Sequence, residues 1–207
     1  MTVLAAPVLG PGLPIGEAVR FVVVAQRLCH EAFEILGRRS THGATLADRV
    51  GVAAASRHLG ETLPLFETLL PDAVGLKALA DEVGAELEQE PTFSDWRASL
   101  EADPLHAVAG ALLVALRREL EAVAAASSPV ADSEFIVVVQ MIDVRLAAAQ
   151  RALGDAALPG SHDTASPDHF TRLVLGNGRK TFSSPLFVPN EHRETTERGS
   201  IRSGYPR

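Results

Sequence analysis

Apolar residues recur at helical spacing in four long stretches of this chain, and each stretch is bounded by proline, glycine or a capping residue. The first stretch starts near Pro14 and runs to about Arg39. Val22, Cys29, Phe33 and Leu36 follow one another at intervals of seven, four and three, which places them on one stripe of a helix. Ser40–Ala44 breaks the pattern. The second stretch opens at Thr45, with Asp48 three residues on, a capping box with Asp in the usual Glu position. Val52, Ala55, Leu59, Phe66 and Leu70 form its expected buried face, and Pro64 must kink it or end it early. The third opens at Asp103-Pro104 and runs to about Ala126, with Leu105, Val108, Leu112, Leu116, Leu120 and Val123 inward. The fourth spans Asp132 to Leu153, with Phe135, Val138, Ile142, Leu146, Ala149 and Leu153 inward and Gly154 as C-terminal cap.

Residues 71–102 separate the second and third stretches. Leu76, Leu79, Val83 and Leu87 have helical spacing there, and Trp96 and Leu100 suggest a further turn or two. An excursion of this length suits a crossover between two antiparallel helix pairs. Beyond Gly154 the periodicity is lost, which divides the chain into a helical bundle over 1–154 and an extended C-terminal tail over 155–207. Within the tail, Phe170–Leu175 and Arg179–Phe182 flank Gly176-Asn177-Gly178, a signal for a β-hairpin. A tail of this length invites a second chain to pack on it, which predicts a homo- or hetero-oligomer.

Composition narrows the function classes. Aromatic residues make up only 5% of the chain, and Ala, Leu and Val supply most of the apolar volume, which favours an all-α fold over sheet. The net charge of −7 argues against a nucleic-acid partner. The bundle carries 12 basic and 20 acidic residues, whereas the tail carries 7 and 6. The tail is therefore free to lie on an acidic surface. A lone cysteine, Cys29, forbids an intrachain disulfide and fits a cytoplasmic location; on an apolar stripe it reads as a small core residue. Residues 1–14 lack the basic start of a signal peptide. The longest apolar run, Ala107–Leu116, is too short to span a bilayer, so no membrane partner is expected.

Three segments carry a family resemblance. They are Arg27-Leu-Cys-His-Glu-Ala-Phe-Glu-Ile-Leu-Gly-Arg-Arg39, the pair Arg57-His-Leu-Gly-Glu61 and Leu69-Leu-Pro71, and Ser127-Ser-Pro-Val-Ala-Asp132. Over roughly residues 15–153 the chain resembles small actinobacterial ferritin-like proteins. The resemblance implies a ferritin-like up-down four-helix bundle with a crossover connection, and it carries no reaction with it.

A di-iron bundle of that kind needs a Glu on each of two helices and a Glu-x-x-His pair on each of the other two. No Glu-x-x-His occurs in the four main stretches. The nearest patterns are Glu31-x-x-Glu34 and the reversed His58-x-x-Glu61, with Glu119, Glu121, Glu134 and Asp143 on the later helices. The expectation is no metal and no other cofactor; a residual divalent site would use Glu34, His58 and Glu61. Glu31 and Glu34 read more simply as solvated surface carboxylates, with Glu34 able to pair with His30, and His58 with Glu61 as one hydrogen-bonded pair.

Each main helix also carries arginine near its middle: Arg27, Arg57, Arg117 with Arg118, and Arg145. The planar guanidinium fork matches carboxylate, phosphate or sulfate groups. Arg27, Arg57, Arg117, Gln140 and Asp143 are thus candidate binders of a small anionic metabolite, and His30 and His58 candidate acid–base groups. The competing assignment is that these arginines point to solvent or pair with the many acids. The expected function is a metal-independent subunit of an oligomeric biosynthetic enzyme in the specialised metabolism of a high-GC bacterium, the last inferred from abundant Ala, Gly, Arg and Val with few Lys. The alternatives are a non-catalytic scaffold or partner subunit, and a residual di-iron oxygenase or oxidase.

Overall fold

A computed structural model describes residues 14–43, 45–102 and 105–154. The cap expected at Asp103-Pro104 and the hairpin expected over Phe170–Phe182 lie outside the described residues. Those residues form seven helices: α1 (Ile15–Arg39), α2 (Leu46–Gly60), α3 (Leu63–Leu69), α4 (Val74–Gln89), α5 (Pro91–Glu101), α6 (Leu105–Ala126) and α7 (Ser133–Leu153).

The boundaries follow local chemistry. Pro14 stands just outside α1, and its carbonyl accepts from the amides of Glu17 and Ala18. At α2 the Thr45 hydroxyl accepts from the Asp48 amide at 3.1 Å, and the Asp48 carboxylate accepts from the Thr45 amide at 3.0 Å. Two otherwise orphan donors are satisfied reciprocally. Pro64 does not kink α2. The helix ends at Gly60 and Pro64 occupies the first turn of α3, where its missing N–H costs nothing. Asp132 precedes α7, but its carboxylate accepts from the Ser128 amide at 2.8 Å and closes the α6–α7 turn instead of capping the helix. Gly154 ends α7 at φ 80°, a left-handed conformation that glycine adopts without cost.

Contacts at known heights fix the direction of each helix. Phe33 lies against Gly60 while Gly37 lies against Ser56, so α1 and α2 are antiparallel. Gly51 meets Ala152 and Glu61 meets Arg145, so α2 and α7 are antiparallel. His106 reaches Leu153 and Arg117 reaches Asp143, so α6 and α7 are antiparallel too. The order up-down-down-up requires a crossover between α2 and α6. α3, α4 and α5 supply it: α4 and α5 run alongside α1 in its own direction, from Gly16–Leu79 to Arg38–Glu101.

One continuous core joins the helices. It includes Leu28, Cys29, Ile35, Leu36, Leu59, Phe66, Leu112, Leu116, Leu120, Ile142 and Leu146, all buried. α5 contributes Phe93, Trp96 and Leu100 to the same core. A smaller cluster of Val19, Val23 and Val83 seals α4 onto α1. Among the expected inward residues, Phe33, Leu70, Val108, Phe135 and Val138 are half-buried at the rim.

Candidate functional site

α6 and α7 present a groove built from two short residue series. Val114, Arg117, Glu121 and Ala124 are spaced three, four and three apart on α6; Gln140, Asp143 and Gln150 are spaced three and seven apart on α7. Each series holds one helical face, and the two faces line a cavity of about 880 Å³ together with Arg118, Leu120, Val139 and Val144. Arg117 is held in it by three hydrogen bonds. Its Nε donates to Asp143 Oδ1 at 2.8 Å, Nη2 donates to Oδ2 at 3.4 Å, and Nη1 donates to Gln150 Oε1 at 3.0 Å. Three of the seven predicted catalytic and binding residues, Arg117, Gln140 and Asp143, thus line one cavity.

The other predicted residues gather elsewhere. On the α2–α7 face, Glu61 accepts from Arg57 Nε at 3.0 Å and pairs with Arg145 Nη1 at 3.0 Å and His58 Nδ1 at 3.3 Å. These contacts, Arg57 first, hold the Glu61 carboxyl below its ordinary range. On the α1–α4–α5 face, Arg27 pairs with Glu88 and with Glu31 at 3.3 Å, and Arg97 pairs with Glu31 at 3.0 Å and Glu88 at 3.5 Å. Glu31 is therefore no solvated carboxylate: it is largely covered between two arginines that tie the crossover to α1. Glu34 is exposed and pairs with Arg38 at 3.7 Å. His30 is half-buried on α1, and its Nδ1 is enclosed without a hydrogen-bond partner among the described residues.

Cys29 is fully covered, and burial pushes its thiol up to about 12 against a weaker downward pull from Thr62. At that value the nucleophilic thiolate is absent near neutral pH. Glu119 on α6 is only 7% exposed; burial raises its pKa, the Arg118 charge opposes the rise, and its Oε2 has no hydrogen-bond partner among the described residues. No three His, Cys, Asp or Glu side chains among the described residues are grouped as metal ligands. No described helix is long and apolar enough to cross a membrane.

Compared with known proteins, the chain matches no family model, no curated protein and no solved structure. The site rests on its own geometry.

Sequence reading passed over Gln150 in the groove and Arg97 in the crossover clamp. A signal for the first was present, since Gln150 falls seven residues after Asp143 on the same face. Arg97 carried none: its role depends on α5 lying alongside α1, which no local pattern encodes.

Proposed function

We propose that this protein is a binding subunit for a small anionic metabolite, held in the α6–α7 groove with Arg117 as its anchor. The observation that carries the reading is the convergence of Arg117, Gln140 and Asp143 from two helices on one cavity of about 880 Å³, a size in the range of small-molecule sites. Asp143 and Gln150 hold the guanidinium in one orientation, so little side-chain entropy remains to be lost when a ligand binds. The groove also carries Glu121 beside Arg118, so it suits an anion that has polar or cationic groups of its own better than a bare anion. His58 belongs to the Glu61 cluster and His30 lines no part of the groove; Asp143 and Glu121 are the groove's own carboxylates. That arrangement favours a binding role within a biosynthetic assembly over catalysis by this chain alone. The up-down-down-up helix order supports kinship with ferritin-like bundles.

Calorimetry with a panel of small carboxylates and phosphates at fixed ionic strength tests the reading. Arg117→Ala should weaken the best ligand by about tenfold or more, as expected for a lost charge-assisted hydrogen bond. Equal affinity in parent and variant, or no millimolar binder in the panel, would overturn it.

A second reading, a partner subunit, has its own observation. Val137, Met141 and Val144 are 54%, 50% and 62% exposed on α7, at the intervals of four and three that one helix uses to pack on another.

A further inference from the structure

Glu61 is the meeting point of more positive charge than it can neutralise. Arg57 and His58 reach it along α2, and Arg145 reaches it from α7. Ordinary helix chemistry accounts for the first two: cations in the last turn of a helix complement its dipole, and Arg57 lies four residues before Glu61. It does not account for Arg145, brought in from a second helix. The two arginines and one carboxylate leave an excess of one positive charge before His58 is counted, on a bundle that is otherwise acidic.

The donors are also under-used. Arg57 spends only Nε on Glu61, and Arg145 spends only Nη1. Because an ionised carboxylate only accepts, a hydrogen bond at Nδ1 makes that nitrogen the donor; Nε2 of the neutral ring is then an acceptor, able to take the O–H of a monoprotonated oxyanion. Both arginine side chains are substantially exposed, at 77% and 49%. They reach the carboxylate from two helices, α2 and α7. A carboxylate ligand brings two acceptor oxygens and one charge, whereas a phosphate ester brings three oxygens and up to about two charges, so phosphate engages more of these donors.

We propose that Arg57, His58 and Arg145, assembled on Glu61 at the α2–α7 face, form a second anion site, selective for a tetrahedral phosphate group over a carboxylate. Glu61 acts there as an internal competitor: it holds the two arginines together and must share them when phosphate arrives. The site is separate from the α6–α7 groove.

Inorganic phosphate, titrated into the full chain at constant ionic strength with chloride as reference, tests this by calorimetry and by melting temperature. Binding should saturate with a midpoint below about 10 mM. Arg57→Gln and Arg145→Gln should each weaken it by about fivefold or more. Glu61→Gln should tighten it several-fold, because the competing charge is gone while the side-chain shape is kept. Far-UV circular dichroism confirms that each variant folds, and Arg57→Lys, which keeps the charge on a smaller change, should retain part of the binding. If Glu61→Gln binds phosphate no better, the residues form only a structural ion-pair cluster and the proposal fails. If acetate matches phosphate, the tetrahedral class is wrong. If Arg117→Gln abolishes phosphate binding, the anion sits in the α6–α7 groove, and this proposal falls while the groove reading stands.

Discussion

A single buried carboxyl sets an unusual pH response. Glu119 keeps its proton in the folded chain at pH values where the unfolded chain has lost it, because burial raises its pKa above the ordinary 4.5. The native state then binds more protons, and this residue's contribution to stability falls as pH rises above about 4.5. Asp48 and Glu61 act with the opposite sign. Their pKa values are lowered, so their contribution is complete above the ordinary carboxylate range and is lost as pH falls. Urea unfolding of Glu119→Gln between pH 4 and 8 separates the two effects. The variant should equal the parent near pH 4 and exceed it at neutral pH; parallel curves would refute the assignment. None of this is legible in the sequence. Glu119 has helical neighbours like those of many surface glutamates, and only the packing of α6 against other helices covers it. Arg117 and Asp143 were legible as members of one mid-bundle group, because antiparallel neighbours bring helix middles together; their pairing with each other was not. Glu31 was misread for the converse reason: its cover, Arg97, comes from the crossover.

At the level of elements, α2 and α7 approach each other closely at Gly51. A Cβ on Gly51 would lie 2.5 Å from the Ala152 carbonyl oxygen, a backbone atom at the end of another helix. Alanine improves helix propensity over glycine by at most about 1 kcal/mol. The overlap costs about 1–3 kcal/mol and, because backbone yields poorly, it should win. Gly51→Ala is therefore expected to lower the unfolding free energy by about 1–2 kcal/mol in a denaturant titration, where propensity alone would raise it. The capping box at Thr45, the break before Pro64 and the stop at Gly154 were all readable locally, since each is a property of a few neighbouring residues. The need for glycine at position 51 was not, because it comes from a carbonyl about a hundred residues away.

At the scale of the whole molecule, the helical stripes foretold an all-α bundle, and the length of residues 71–102 foretold a crossover. The sequence did not foretell that α4 and α5 would line α1, since that depends on which face of α1 remains uncovered beside α2. The exposed row on α7 is what this packing leaves over. If it seats another subunit, light scattering should show the full chain as an oligomer, and Met141→Glu with Val144→Glu should shift it to monomer with helicity unchanged. A monomeric parent would remove that role. Cys29 gives the intact fold a further property. With its sulfur sealed inside the main core and its proton tightly held, the thiol is hidden from alkylating reagents until the helices part. A single-cysteine chain of this design reports on its own opening, since every labelled molecule has opened around Cys29 at least once.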